Sequence, residues 1–210
     1  MAAAPRSERK RRTALKRHVL FVHGGREGAH EADEKPAASL RDALGAAYEV
    51  RSPKMPNEDR LEYEAWKEKI ARELAVMDGK AVLVGHSLGA SVLLKYLSEG
   101  EMQKPVAGLF LVASPYWGAK GWESEEYALP EAVASKLPEG PPVFLYHSRD
   151  DEVVPFAHLA LHEAKLPQAT VRGFDGRGHQ FDDDLSEVAR DIREVVSTVN
   201  DQTKERGDGS

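Results

Sequence analysis

The chain has 210 residues, of which 41% are hydrophobic, so it is long enough for one sizeable core and too short for two comfortable domains. It contains no cysteine, which excludes disulfides, thiolate metal sites and a cysteine nucleophile. No apolar run is long enough to span a bilayer, and the basic N-terminus lacks the apolar segment of a secretory signal. We therefore expect a cytoplasmic protein without membrane association.

Charge is distributed unevenly along the chain. Residues 1–17 carry seven basic residues and one acidic residue, a net charge of +6, whereas the rest carries −12, for an overall charge of −6. Polar segments with charge blocks of this kind do not build a core, so we expect a disordered basic arm over 1–17 and a disordered tail over 200–210. The acidic body argues against nucleic acid as a partner, because phosphate binding needs a basic face. The oligomeric state stays open.

Short apolar runs alternate with helical patterns between residues 18 and 199. Such continuous apolar strands are typical of an α/β domain, a mainly parallel sheet with helices on both faces. We expect one domain with six strands and with function at their carboxyl ends. In chain order, the predicted elements are strand 18–22, helix 36–44, strand 48–51, a helix capped by Asn57 that contains Trp66 and Ile70, strand 81–84, a helix with Val92 and Leu97 inward, strand 107–113, strand 143–146, helix 156–164, strand 170–174 and a final helix opened by Asp182, Asp183 and Asp184.

The most informative segment is residues 81–90, where an apolar strand leads into Gly-His-Ser-Leu-Gly (85–89) and then into a helical pattern. Strand, G-x-S-x-G and helix together raise a serine on a sharp turn at the edge of a sheet. A Cβ at 85 or 89 would collide with the neighbouring strand or helix, and the start of the helix supplies N–H groups that suit an oxyanion. The pattern predicts Ser87 as a nucleophile; an ordinary βα loop with a serine cap is the alternative.

Two further segments with reactive side chains follow predicted strands. The fifth strand leads to the adjacent carboxylates Asp150 and Asp151, and the sixth leads to His179. A serine needs a base because its hydroxyl is a weak nucleophile at neutral pH, and that histidine needs a buried acid to hold its tautomer. The order Ser87, Asp151, His179 is the one expected for an α/β-hydrolase triad. His86 lies beside the nucleophile, but the base has to reach from across the cleft.

These motifs resemble those of the α/β-hydrolase fold superfamily, and within it the small, nearly uncapped serine hydrolases of the YdeN and retinoblastoma-binding-protein-9 type. The resemblance covers about residues 18–199. It implies a minimal cap, the triad Ser87, Asp151 and His179, and an oxyanion hole formed by the N–H groups of Gly25 and Leu88. The motifs that carry it are Phe-Val-His-Gly-Gly (21–25), Lys-Met-Pro-Asn (54–57), Gly-His-Ser-Leu-Gly (85–89), Asp-Asp-Glu-Val-Val-Pro-Phe (150–156) and Gly-His-Gln-Phe (178–181).

Substrate contacts are predicted from two segments. YdeN-type members carry aromatic residues after His-Gly, whereas residues 26–33 here read Arg-Glu-Gly-Ala-His-Glu-Ala-Asp, so we expect a more polar pocket mouth and a different substrate preference. Segment 114–140 is rich in aromatic residues but too short for a full lid, which favours an open site for short or medium acyl chains. Packing against the sheet is the alternative for its rings. The predicted substrate contacts are Arg26, His86, Tyr116 and Trp117.

The sequence predicts a serine hydrolase that cleaves a carboxylic ester or a similar small acyl compound through an acyl-enzyme, with no metal and no cofactor. A serine at this turn argues against haloalkane dehalogenases, which place a carboxylate there, and against dienelactone hydrolases, which use cysteine. Peptidase, thioesterase and peroxidase-like activities stay open. The alternative from another class is a non-catalytic protein-interaction module on a hydrolase scaffold, which has no reason to keep all three triad groups in register.

Overall fold

A computed structural model describes residues 16–207 apart from 59, 61 and 101–103, and from residue 199 onward it describes the backbone alone. Residues 1–15 of the arm predicted over 1–17 lie outside the described residues. The strands are β1 Arg17–Val22, β2 Tyr48–Arg51, β3 Ala81–His86, β4 Val106–Val112, β5 Val143–Ser148 and β6 Thr170–Phe174. The helices are α1 Ala29–Ala32, α2 Glu34–Leu44, α3 Tyr63–Ala75, α4 Leu88–Ser98, α5 Val133–Lys136, α6 Ala157–Lys165 and α7 Ser186–Gly207.

The strands form one parallel sheet in the order β2-β1-β3-β4-β5-β6. Strands β3, β4 and β5 are buried along their whole length, as their continuous apolar sequences require. The register sets Val22 of β1 opposite Gly85 of β3, so the segments that follow these two strands begin side by side. The predicted six-stranded parallel sheet is confirmed.

Helices cover both faces of the sheet. Because successive side chains of a strand point to opposite faces, Val19 and Phe21 of β1 join the core formed with α2 and α7, and Leu20 and Val22 join the core formed with α3, α4 and α6. Trp66, 1% exposed, is the largest of the fully buried side chains in the second core. Within the described residues, none of the helices combines the length and apolar character that crossing a bilayer requires.

The helix expected after Asn57 begins later than predicted, at Tyr63. Asn57 adopts a left-handed conformation with φ 48°, and its carbonyl accepts the N–H of Arg60 at 2.8 Å, which makes a turn instead of a cap. Glu58, expected in the first turn of the helix, is only 9% exposed and its carboxylate lies 2.7 Å from Lys54 Nζ. The prediction of Asn57 as the N-cap is therefore wrong.

Both ends of the last helix also differ from prediction. Residues 181–183 form a left-handed turn with φ between 54° and 56°, and α7 begins only at Ser186, whose N–H is accepted by Asp184 at 2.9 Å. The helix continues to Gly207, into the segment 200–210 that was predicted to be a disordered tail. Residues 200–206 contain no glycine or proline to end a helix that has already formed, which explains the extension.

Candidate active site

Ser87 occupies the turn between β3 and α4. It has φ 51° and ψ −121°, a conformation that non-glycine residues rarely adopt. Its backbone N–H donates to the carbonyl of Val112 at 2.8 Å, which ties the turn to the end of β4. Backbone strain held in place by neighbouring structure is typical of functional positions, and it lifts this serine above the carboxyl edge of the sheet as the motif predicts.

Glycines on either side make this turn possible. A Cβ placed on Gly85 would lie 2.5 Å from Ala90 Cα, and a Cβ placed on Gly89 would collide with the backbone carbonyls of Val22 and His23. The start of α4 therefore packs directly on the backbone of β1 with no room for a methyl group. The steric reason given for both glycines from the sequence agrees with these contacts.

Asp151 and His179 are hydrogen-bonded to each other. His179 Nδ1 lies 2.9 Å from Asp151 Oδ2 and 3.0 Å from Oδ1. Two further N–H groups donate to the same carboxylate, the backbones of Val153 and Val154 at 2.9 and 2.8 Å. His147 Nε2 also lies 3.2 Å from this carboxylate, but it is hydrogen-bonded to the Val154 carbonyl at 2.8 Å. Burial alone would raise the pKa of Asp151, but the His147 and His179 imidazoles beside it and the Val154 N–H outweigh burial and hold the pKa well below its usual range.

The neighbouring acids hold the loop that carries His179. Asp150 is exposed, and its Oδ1 accepts the backbone N–H groups of Arg177 at 3.2 Å and of Gly178 at 3.3 Å. Glu152 Oε2 accepts the backbone N–H of His179 at 3.3 Å. The two adjacent aspartates thus have different partners: Asp151 contacts the imidazole, whereas Asp150 contacts the backbone two residues before it.

The turn after β1 is held from both sides. His23 Nδ1–H donates to the Gly24 carbonyl at 2.6 Å, and its Nε2 accepts the N–H of Met55 at 2.9 Å, so the ring is neutral. Burial, the largest influence, lowers the pKa of His23. The N–H of Gly24 donates to Asp33 Oδ2 at 2.7 Å. The N–H of Gly25 has no acceptor among the described residues.

Leu88 supplies the second predicted oxyanion donor. Its N–H is the first of α4, so no carbonyl of its own helix accepts it. The turn at Gly25 lines a cleft that also contains Ser87, the residue before α4, and His179, and that has a volume of about 50 Å³. Its lining residues are Gly24, Gly25, Arg26, Ala29, Ala32, Asp33, His86, Ser87, Val153, His179 and Gln180.

Ser87 and His179 share the cleft without a direct hydrogen bond between their side chains among the described contacts. Catalytic hydrogen bonds are often long in unliganded sites and tighten when substrate binds.

A second hollow of about 740 Å³, lined by Lys67, Lys95 and Lys136 among others, contains no histidine. Within the described ranges, no group of three or more His, Asp or Glu side chains is placed to hold a metal ion.

The four predicted substrate contacts fall into two sets. Arg26 is exposed at the cleft, and His86 lines it but is only 3% exposed, with both ring nitrogens within hydrogen-bond distance of protein oxygens. Tyr116 and Trp117 are outside the cleft lining. Trp117 packs on Trp122 and Tyr127, with ring centroids 5.6 and 5.1 Å away. Contact of Arg26, His86 and Tyr116 with substrate stays a prediction, whereas the contacts of the Trp117 ring favour the packing alternative.

The substitution Trp117→Ala separates packing from substrate contact. Because the Trp117 ring packs against the core cluster and against two aromatic rings, we expect its loss to lower the free energy of unfolding by about 3 kcal/mol, with KM unchanged in the folded fraction. Thermal melting and ester kinetics at several acyl lengths measure the two effects. A raised KM or a shifted acyl-length preference at an unchanged melting temperature would instead place Trp117 in the substrate pocket.

Sequence reasoning missed two residues that contact the predicted site. Asp33 is 1% exposed although it belongs to a segment expected to be a polar pocket mouth, and His147 is 1% exposed beside Asp151. The position of His147 at the carboxyl end of β5 could have indicated that it lies near the predicted site. Asp33 gives no such signal, because its role depends on the packing of α1 and α2 against the turn after β1.

The model of a family described as serine hydrolase matches residues 20–184 of the chain. The chain is similar in structure to the YdeN gene product of B. subtilis, with TM-score 0.68 and 19% identity over 87% of this chain and 100% of that one. It is also similar to CarC, a serine hydrolase involved in carbazole degradation, with TM-score 0.67 and 16% identity over 88% of this chain and 93% of that one. A third similar structure is the esterase domain of a Rhodothermus marinus protein, with TM-score 0.63 and 19% identity over 89% of this chain and 87% of that one.

These structural similarities show a shared fold, the α/β-hydrolase fold expected from the sequence motifs. No curated protein sequence matches the chain. The family match covers more than half of the chain and includes the Gly-His-Ser-Leu-Gly turn and the segments that contain Asp151 and His179. The chain therefore belongs to the serine hydrolase family and is a hydrolytic enzyme with the α/β-hydrolase fold.

Proposed function

We propose that this enzyme cleaves carboxylic esters or similar small acyl compounds with Ser87 as nucleophile, His179 as general base and Asp151 as the acid that orients the base. The observation that carries the proposal is one small cleft that contains both a serine on a strained turn and a histidine whose Nδ1 is bound by a buried carboxylate. These are the groups that acyl transfer requires, in the roles that their contacts allow.

In the proposed reaction, Ser87 Oγ attacks the acyl carbon while His179 Nε2 accepts its proton. Asp151 accepts a hydrogen bond from His179 Nδ1–H, which leaves Nε2 free for that proton and stabilises the imidazolium that forms. The N–H groups of Val153 and Val154, together with His179 Nδ1–H, keep the Asp151 carboxylate ionised and the imidazole in place. His179 then protonates the leaving oxygen, and an acyl ester remains on Ser87.

The N–H groups of Gly25 and Leu88 are the proposed donors to the oxyanion. Both lie on segments that adjoin Ser87, and neither N–H has a protein acceptor in the described part of the chain. Donors of this kind stabilise the tetrahedral intermediate, and each contributes about 10²- to 10³-fold to kcat in serine hydrolases. A water molecule activated by His179 then attacks the acyl ester, which releases the acid and restores Ser87.

The cleft supports a preference for small substrates. At about 50 Å³ it can enclose little beyond the reacting carbonyl and its neighbours, far less than a pocket that buries a drug-sized ligand. Segment 114–140 contains one short helix, α5. Of the two rings expected to contact substrate, Trp117 packs on Trp122 and Tyr127, and Tyr116 packs on His162. We therefore propose an open site that takes short or medium acyl chains.

An ester screen tests the proposal. Purified protein should hydrolyse p-nitrophenyl acetate and butyrate faster than the corresponding laurate and palmitate, and Ser87→Ala should remove this activity. The same screen with acyl-thioesters and p-nitroanilides measures the ester preference. Absence of turnover on every member of the three series would contradict the proposal.

Arg26 is the proposed contact for a negative charge on the substrate. Its side chain is exposed at the cleft, it takes part in none of the ion pairs among the described residues, and its backbone is held at φ 123° with the N–H bonded to the Glu58 carbonyl at 2.9 Å. We expect Arg26→Gln to lower kcat/KM about fivefold for 4-acetoxybenzoate, an anionic ester, because a solvent-exposed ion pair contributes up to about 1 kcal/mol.

The matched comparison uses a neutral substrate and a second arginine. Turnover of 4-acetoxybenzamide, which has the same shape without the charge, should be unaffected by Arg26→Gln. Arg41 is also exposed and lies on α2, so Arg41→Gln should leave both substrates unchanged. Equal effects of Arg26→Gln on the two substrates would refute the charge contact.

A further inference from the structure

A second buried pair of an acid and an imidazole lies directly behind the proposed triad. His86 Nδ1 lies 2.8 Å from Asp33 Oδ2, and the two side chains are 4% and 2% exposed. His86 Nε2 lies 2.9 Å from the backbone carbonyl of His179, so both ring nitrogens have an oxygen acceptor. An imidazole donates from both nitrogens only when it is protonated. The contacts therefore describe an imidazolium paired with a carboxylate.

The electrostatics of the pair agree with this assignment. Burial alone would raise the pKa of Asp33, but attraction and a hydrogen bond from His86, with the Gly24 N–H, lower it overall. Burial alone would lower the pKa of His86, but attraction and a hydrogen bond to Asp33, with the His179 carbonyl, raise it overall. Each partner thus stabilises the charge of the other.

The pair joins three segments that the proposed mechanism needs in register. His86 is the last residue of β3 and directly precedes Ser87 in the chain. Asp33 Oδ2 also accepts the N–H of Gly24 at 2.7 Å, which fixes the peptide next to Gly25. His86 Nε2–H holds the backbone of His179, and the His86 and His179 ring centroids are 4.8 Å apart. Nucleophile, oxyanion donor and base are therefore tied to a single ion pair.

The distances around Gly24 show how closely these segments fit. A Cβ placed on Gly24 would lie 3.4 Å from Ser87 Cβ, 3.6 Å from His86 Nδ1 and 3.7 Å from Asp33 Oδ2. The peptide that leads to Gly25 is thus confined between the nucleophile and the ion pair. A displacement of about 1 Å in such a site can lower the rate about 10²-fold.

We propose that Asp33 and His86 are positioning residues, whose buried ion pair holds the Gly25 N–H and the His179 imidazole in register with Ser87. This inference rests on the proposed function, since it assigns these residues to the same reaction. We assign the pair a geometric role, because a buried ion pair adds little net stability to the fold compared with apolar packing. Removing one partner nevertheless leaves the other charge buried and unpaired. Interactions of this kind act on the transition state, where the oxyanion and imidazolium exist, more than on bound substrate.

Asp33→Asn is the most selective test, because both donors to Asp33 reach the same oxygen, Oδ2. An asparagine can present its carbonyl oxygen there but lacks the charge that keeps His86 protonated. Neutral His86 then has one N–H, which can serve Asn at position 33 or the His179 carbonyl but not both. We expect kcat for p-nitrophenyl butyrate to fall about 10²-fold with KM within about twofold.

Affinity for a transition-state analogue provides the readout that a loss of stability alone would not change. Phenylboronic acid forms a tetrahedral adduct with the nucleophilic serine and places an oxygen in the oxyanion hole, so its Ki should rise by about the same factor as kcat falls. His86→Gln, which removes the charge from the other partner, should change kcat and Ki in the same direction. It keeps the test available if Asp33→Asn does not fold.

Asp191→Asn is the matched control. Asp191 is also a buried acid, 1% exposed, and is hydrogen-bonded to Tyr146 at 2.8 Å and to Arg172 at 3.2 Å, but it lies on α7 away from the cleft lining. It should lower the melting temperature and leave kcat and Ki unchanged. Asp33→Asn with unchanged kcat and Ki would overturn the inference, whereas failure of the wild-type protein to hydrolyse any ester would refute the proposed function instead.

Discussion

Replacing Ser87 with alanine is expected to lower kcat for ester hydrolysis about 10⁶-fold, to the background set by the remaining groups. The substitution removes only the hydroxyl group, and no side-chain hydrogen bond of Ser87 stabilises the fold in the described structure. The turn itself is held by the backbone bond from Ser87 N–H to Val112 and by the close packing of Gly85 and Gly89. The melting temperature should therefore stay unchanged.

Ser91→Ala is the matched control for this substitution. Ser91 lies one turn further along α4, is 2% exposed, and donates its hydroxyl to the carbonyl of Pro115 at 3.1 Å. Its loss should lower the melting temperature modestly, by the effect of one buried hydrogen bond, and leave kcat unchanged. If Ser87→Ala retained more than a few per cent of the wild-type rate, Ser87 would not be the nucleophile.

The second large effect is expected at Asp151. Asp151→Asn should lower kcat about 10⁴-fold, because an amide NH₂ facing His179 Nδ1 favours the tautomer with its proton on Nε2 and removes the base. The carboxylate also accepts the Val153 and Val154 N–H groups, which an asparagine carbonyl can still satisfy, so the fold should survive. Circular dichroism and kcat at pH 7 to 8 measure the two properties.

Asp150→Asn distinguishes the adjacent carboxylates. Asp150 bonds the backbone N–H groups of Arg177 and Gly178, contacts that the carbonyl oxygen of asparagine can keep. We expect a loss of less than about tenfold, from a looser His179 loop. Equal losses at the two positions, or a larger loss at Asp150, would contradict the assignment of Asp151 as the orienting acid.

The sheet could be predicted because its central strands β3, β4 and β5 are short, mainly apolar runs, which a parallel sheet covered on both faces accommodates. The position of Ser87 followed from the Gly-His-Ser-Leu-Gly motif between a strand and a helix, since steric demands at Gly85 and Gly89 are local. The start of α3 could not be predicted in the same way. Asn57 suits both a helix cap and a left-handed turn, and the tertiary hydrogen bonds that Glu58 accepts from the N–H groups of Arg26 and His30 favour the turn.

The surroundings of the site depended on long-range contacts that composition does not show. Asp33 and His86 are 53 residues apart, and the ring of His86 reaches the carbonyl of a residue 93 positions further along. Trp117 lies in a loop at the carboxyl edge, where aromatic residues often shape pockets, yet it packs on Trp122 and Tyr127. Sequence position locates a residue at this edge but does not decide which way its ring points.

The most direct measurement is the location of a covalent fluorophosphonate adduct. The probe reacts with a serine that has an adjacent base and an oxyanion hole, so wild-type protein should carry one adduct, on the tryptic peptide containing Ser87, as identified by tandem mass spectrometry. Labelling should slow strongly in the Asp151→Asn protein and be absent in Ser87→Ala. An adduct on another serine, or folded wild-type protein that stays unlabelled, would contradict the assignment of Ser87 as the nucleophile.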